Sequence, residues 1–271
     1  MDITSIVKNF YYYRIVDNLR WLKKTINEKC RSKTADFDDV YQLYFGAQDK
    51  LNILDVGAFD GRSVKRFRKL FSNAHLHCFE PSNNNYELLS KAYGNDNNTS
   101  LNKAAVDDND ATAILSVNEK PDTSSLLKVD VSDPWVKRRS QEFSVKPEDF
   151  TTNIEEVKTI KLDTYVEREN LNEVEILKID TQGFETMVIK GGEKSLKDRK
   201  FVFVEVEIIL QGLYEGVEKN IYDIEQYLIP NGYKLIATSS KLNALANKSM
   251  GFDAVYARAD AYDKVISLSG A

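Results

Sequence analysis

The apolar run Ile53-Leu54-Asp55-Val56 breaks at Gly57 into a turn reading Gly-Ala-Phe-Asp-Gly and resumes at once as the helical string SVKRFRKLF. Strand, glycine turn and helix in that order open a βαβ unit, which commits a chain to a parallel sheet with helical crossovers. A second short strand follows and ends in Cys-Phe-Glu-Pro-Ser, with Glu80 placed 23 residues after Gly57. In a nucleotide-binding βαβ unit the glycine turn lets backbone approach the ligand, and a carboxylate on the next strand holds the ribose hydroxyls. This turn is not GxGxxG, and it carries Asp55 and Asp60. Two acids oppose a pyrophosphate, which brings negative charge of its own. They suit a nucleoside with a cationic end, and S-adenosylmethionine, with an ammonium and a sulfonium beside adenosine, meets that description.

The rest of the chain keeps the alternation. Hydrophobic periodicity and turn residues predict strands at 51–56, 75–80, near 100–106, 111–117, 174–180, 201–207, 232–238 and 252–258. Helices are predicted at 36–48, 62–72, 83–94, 184–191 and 218–229. The expected fold class is α/β, Rossmann-like, with a mostly parallel sheet and helices on both faces. Residues 118–155, with Pro121, Pro134 and Pro147, read as the least regular part, either a lid or substrate wall beside the cleft or a plain connection.

Five strings together resemble the FkbM family of S-adenosylmethionine-dependent methyltransferases: LDVGAFDG (54–61), FEPS (79–82), AAVDD (104–108), LDTYV (162–166) and KIDTQGFETMVIKGGE (178–193). The likeness spans roughly 50–210. It implies a seven-stranded methyltransferase fold with one antiparallel strand, and O-methylation of hydroxyls on sugars, glycans or polyketide-type products. By the same resemblance Asp55, Gly57, Ala58, Phe59 and Gly61 belong to the cofactor loop, Glu80, Pro81 and Ser82 to the ribose end, and Asp107 to the adenine end. Phe59 departs from the small polar residue usual in the family, and a narrower pocket entrance is expected. The likeness resumes at TSSLL (123–127), so Ser124 and Ser125 are expected to touch the acceptor or order the wall, and Gln182 and Glu185 to lie on the acceptor side.

For the chemistry, an alcohol acceptor must lose a proton as its oxygen is methylated. His75 and His77 stand at the start of their strand, opposite the ligand end, and read as structural. The base is therefore sought among carboxylates at strand tips. Asp180 ends one predicted strand, while Glu205 and Glu207 share one face of the next. Asp180 can instead cap the following helix or pair with Lys178. The two glutamates can serve a hydroxyl-rich sugar, hold Mg2+, or meet Lys and Arg from neighbouring helices. The identity of any metal ligand stays open.

Charge is uneven: residues 1–33 carry eight Lys/Arg against three Asp/Glu, a net of +5, although the whole chain is at −5. Tyr12, Ile15, Leu19, Leu22 and Ile26 recur there at helical spacing. A helical extension (1–49) before a methyltransferase domain (50–271) is expected, its helix packing on the domain, on a second copy of the chain, or on a membrane surface or anionic carrier. No run is long and apolar enough for a transmembrane segment, and no signal peptide is read, so a cytoplasmic location is expected. The acidic balance disfavours nucleic acid as partner. Two rivals remain: an NAD-type oxidoreductase, disfavoured by the acidic turn, and a non-catalytic subunit of the same fold that binds a glycan or a partner enzyme.

Overall fold

A computed structural model describes residues 36–210, 213–216, 220–239, 243–245 and 248–270. The basic helix expected within 1–33 lies outside the described residues. One compact unit runs from Phe37 to Ala271. Its first element, α1 (Phe37–Tyr44), buries Phe37, Val40 and Tyr41. Phe45, just past its end, joins the same core.

The central sheet runs through β1 (Asn52–Val56), β2 (His75–Phe79), β3 (Thr99–Asn102), β7 (Val174–Ile179), β8 (Phe201–Ile209), β9 (Tyr233–Thr238) and β11 (Lys248–Arg258). Its spatial order is β3-β2-β1-β7-β8-β11, with β9 pairing β11 at the far side. Strands β1, β2, β3, β7 and β8 pair in parallel, and β11 is antiparallel to both β8 and β9. This is the seven-stranded, mostly parallel arrangement expected. A short β10 (Asn243–Leu245) adds to the edge of β11 beside β9. Strand order reverses between β1 and β7, and in an open α/β sheet such a switch point sets the ligand crevice at the carboxyl ends of the strands.

Helices cover both faces because strands buried on two sides carry apolar residues at successive positions. On one face Ile53, Leu76, Ile176, Phe203 and Val255 pack against α1, α2 (Arg62–Leu70), α3 (Asn83–Tyr93) and the C-terminal α9 (Ala259–Ser269). On the other, Leu54, Phe79, Leu177, Val204 and Tyr256 meet four more helices. These are α5 (Leu162–Arg168), α6 (Glu185–Lys190), α7 (Glu193–Lys197) and α8 (Asn220–Leu228).

The 118–155 region is more ordered than its prolines implied. It holds α4 (Pro134–Glu142), capped by Asp133 with Pro134 at the first turn, as a helix start favours. It then enters β6 (Thr151–Ile160), which pairs along β5 (Thr112–Asn118) and, through Ala105 and Val106 (β4), forms a second, three-stranded sheet. The strand predicted at 100–106 is accordingly two strands in two sheets. Val136, Phe150, Ile209 and Tyr214 close a small apolar cluster beneath this region and tie it to the end of β8.

Candidate active site

At the strand tips lies a cavity of about 700 Å³, within the roughly 300–1,000 Å³ usual for ligand pockets. Its floor begins with the β1 turn. Gly57 and Ala58 both donate backbone N–H bonds to Phe79 O (3.0 Å each), fastening the turn to β2. Gly57 has φ +85°, and a Cβ there would sit 2.0 Å from the backbone oxygen of Asp180, so only glycine lets the β1 and β7 ends come together. Phe59 (φ 49°) and Gln182 (φ 58°) are non-glycine residues in the left-handed region, and both line the cavity. Such backbone strain concentrates at functional sites. Phe59 stands at the wall, under the Arg62 guanidinium at 4.9 Å.

Glu80 lines the cavity and is buried, at 5% exposure. One carboxylate oxygen accepts from Ser82 N (3.0 Å) and Asn85 Nδ2 (3.4 Å), the other from Phe59 N (3.0 Å). Burial outweighs these bonds and lifts its pKa to about 7. Lone pairs remain for a ligand, since a carboxylate offers about four acceptor sites. Asp55 lies beneath the floor, fully buried, accepting from Ser63 Oγ and 3.7 Å from the Lys178 ammonium. Gly61 packs on Tyr93, Ser82 starts α3, and Asp107 lies just past Ala105 and Val106, which do line the cavity. These four support the walls rather than form them, whereas Gly57, Ala58, Phe59, Glu80 and Pro81 are walls.

The acceptor side centres on the turn after β7. Asp180 is 41% exposed, with Lys178 Nζ at 3.4 Å. Gln182 donates through Nε2 to Asp180 Oδ1 (3.0 Å) and to Glu207 Oε2 (2.8 Å), joining the two acids. Burial raises the Asp180 carboxyl, but the Lys178 charge and the Gln182 bond overcome that and leave it lowered. Glu207 goes the other way, held well above the carboxylate range by burial and by Asp180, Glu185 and Asp253 around it. Glu185 is fully buried and accepts from Thr181 N (2.9 Å), Thr181 Oγ1 (3.1 Å) and Gly183 N (3.1 Å), which sets the turn. It holds the site from below and does not face the cavity.

Glu205 is likewise turned away. It accepts from Arg66 Nη1 (2.7 Å) and Tyr41 OH (2.7 Å), the meeting with a neighbouring-helix arginine that was one of the three readings. Sheet register explains this: Glu205 pairs with Lys178, one row deeper than Glu207, and β8 continues to Ile209. Ser125 donates to Gln182 O (2.8 Å), latching the wall to the turn, and Ser124 accepts from Asn118 N (3.2 Å); both line the cavity. Tyr214, which the sequence reading overlooked, donates to Thr123 O (2.7 Å) and lies 3.2 Å from Gln182 Oε1. Trp135, Arg138 and Arg139 of α4 complete the wall. His77 meets Tyr165 OH (2.8 Å) inside the domain, away from the cavity.

The donor chemistry fits S-adenosylmethionine. Glu80 suits ribose hydroxyls, the slot of Ala105, Val106, Leu115 and Leu126 suits an apolar purine face, and the carboxylates suit a cationic methionine end. For Mg2+ the residues do not fit: among the described residues no group of three or more acidic, His or Cys side chains is placed to hold a metal. Among the described residues no helix is long and apolar enough to cross a membrane.

A family model described as the methyltransferase FkbM domain matches residues 55–235. The 2-O-methyltransferase NoeI of Sinorhizobium fredii (strain NBRC 101917 / NGR234) is 27% identical over 166 residues, 60% of this chain. The chain spans 65% of that relative's length. Among solved structures, Aeropyrum pernix fibrillarin with natively bound S-adenosyl-L-methionine aligns with TM-score 0.41 and 10% identity, covering 80% of this chain and 72% of that one. Precorrin-6y C5,15-methyltransferase from Geobacter metallireducens aligns with TM-score 0.40 and 11% identity, covering 83% and 93%.

Proposed function

The chain belongs to the methyltransferase FkbM domain family, and from that premise we propose that it O-methylates a hydroxyl of a sugar, free or within a glycan or glycosylated metabolite, at the expense of S-adenosylmethionine. The observation that carries this reading is the Asp180–Gln182–Glu207 bridge, open to the same cavity as Glu80 and the Gly57–Phe59 turn. The oxygen specificity in the name of the 27%-identical relative supports it.

Gly57, Ala58, Phe59 and Glu80 would hold the nucleoside, with Asp180 toward the sulfonium, a charge that S-adenosylhomocysteine lacks. When bound, the cofactor supplies an electrophilic methyl group on its sulfonium. Glu207 receives the acceptor's hydroxyl proton, because its raised pKa makes it the more basic member of the pair. Asp180 stays ionised beside Lys178 and holds the Gln182 amide in place. Trp135 offers a flat apolar surface to a sugar ring. The buried free thiol of Cys78 is compatible with a reducing cytoplasm, the compartment we assign.

The test is release of S-adenosylhomocysteine by the full chain over a panel of sugars, followed across pH. Activity should rise with pH as Glu207 loses its proton, and Glu207→Gln should lose that limb and at least about 10²-fold in turnover. A wild-type pH profile retained by Glu207→Gln would remove Glu207 from the role, and no turnover on any sugar or other alcohol would overturn the function itself.

A further inference from the structure

The cavity is polarised. Among the charged residues that line it, Lys178 pairs with Asp180, Arg62 with Asp60 and Lys120 with Asp122, and Glu80 and Glu207 add acid at the strand tips, while α4 brings Arg138 and Arg139 to the wall beside Trp135. The Arg139 guanidinium lies 5.2 Å from the Trp135 ring centre. Both arginines pair with a single carboxylate, Glu142, at the end of their own helix and outside the cavity wall. Two guanidiniums on one carboxylate leave a positive charge uncompensated. The side chains are 58% and 33% exposed, and ion pairs this accessible exchange readily for another anion. The cofactor's methionine carboxylate is the one anion the cofactor could bring to this pair, and an unchanged S-adenosylhomocysteine affinity in a variant lacking both arginines separates it from an anion of the acceptor.

We propose that Arg138 and Arg139 form a subsite for an oxyanion, phosphate or carboxylate, carried by the acceptor away from its reacting hydroxyl. The inference rests on the sugar O-methyltransferase reading and narrows its substrate class to anionic acceptors. Guanidinium forks match either oxyanion with two parallel hydrogen bonds, which Lys cannot reproduce. The incoming oxyanion replaces Glu142 as partner, and Trp135 lies beside it under the sugar.

The test is calorimetric titration of the full chain, with and without S-adenosylhomocysteine, using inorganic pyrophosphate, D-glucuronate and neutral D-glucose. Arg138→Gln/Arg139→Gln is the test variant, and Lys234→Gln, an exposed residue of β9, is the charge control. The expected result is binding of one anion with at least about tenfold loss in the double variant, as for removal of charge-assisted contacts. Glucose and S-adenosylhomocysteine affinities should not change, and the control should match wild type. Pyrophosphate preference identifies a phosphate-bearing acceptor, glucuronate preference a uronic acid. Binding of neither anion, equal binding by the double variant, or an equal loss in Lys234→Gln would overturn the subsite. Failure to bind S-adenosylhomocysteine would instead strike the underlying function, and the titrations on the unloaded chain would still decide the subsite.

Discussion

Replacing Glu80 by Gln separates two effects that the structure sets against each other. Glu80 accepts backbone N–H groups on both oxygens, from Ser82 on one side and Phe59 on the other. A Gln can place its carbonyl toward only one of them, and its amide then faces the other donor, leaving a buried N–H unpaired at about 1–3 kcal/mol. Against this, holding the carboxyl at about 7 rather than 4.5 corresponds to about 3 kcal/mol of disfavoured charge at high pH. The sign follows from the raised folded value: the favourable contribution is complete below 4.5 and is lost as pH rises through about 7. Wild type should therefore lose about 3 kcal/mol of stability over that window relative to Glu80→Gln, read from denaturant melts at the two ends. Cofactor binding moves oppositely. If the ionised carboxylate takes the ribose hydroxyls, S-adenosylhomocysteine affinity should rise about tenfold from pH 6 to pH 8 in wild type, following the ionised fraction of a group at about 7. In the variant it should be flat with pH and weaker at pH 8 by about 1–3 kcal/mol. Calorimetric Kd values that match between the two proteins at pH 8 would refute the ribose assignment and the reasoning behind it.

Asp180→Asn should keep S-adenosylhomocysteine affinity within a few-fold while turnover drops at least about 10²-fold, because the amide preserves shape and loses the charge that orders Gln182; unchanged kcat would release Asp180 from the site. Gly57→Ala should cost about 3 kcal/mol or more, about 6–12 °C in Tm, since its Cβ would overlap the Asp180 oxygen at a strained φ; a variant melting with wild type would contradict the close approach of β1 and β7. Ser125→Ala should cost about 1 kcal/mol and raise acceptor KM while leaving cofactor Kd alone, because it cuts the bond from the wall to Gln182; an altered cofactor Kd with unchanged KM would place the latch elsewhere.

What the residues foretold tracks how local the determining interactions are. The strands ending at Val56, Phe79 and Ile179 are short apolar runs closed by turn residues, and the structure places them within a residue or two of the predicted limits. The three prolines of 118–155 misled because each marks a helix start rather than an interruption: Pro121 and Pro147 open 3-10 turns and Pro134 opens α4. β6 depends on pairing with β5, more than thirty residues away, and no local pattern announces that partner. The C-terminal α9 and the short α5 and α7 went unpredicted, α5 and α7 being only two turns or less and so too brief to show a helical period. At the site, the identity of the acids was legible and their depth was not. Glu205 and Glu207 share a face, yet how far β8 runs on decides that one meets Arg66 and Tyr41 while the other meets Gln182 at the cavity. Tyr214 carried no signal, because its value lies in reaching Thr123 across the fold.

The bond from Ser125 to Gln182 fastens the wall of the cavity to the turn that carries its acids. Residues 128–149 run between that latch and the β5–β6 pairing, and Lys128, Val129 and Asp130 also pair with residues 213–215, so they form a cassette held at three points. A designer wishing to redirect the enzyme to another acceptor can exchange the cassette, provided Thr123, Ser125 and Tyr214 are kept as its plugs. An exchange that breaks them would disturb the alignment of Asp180 and Glu207 along with the choice of substrate.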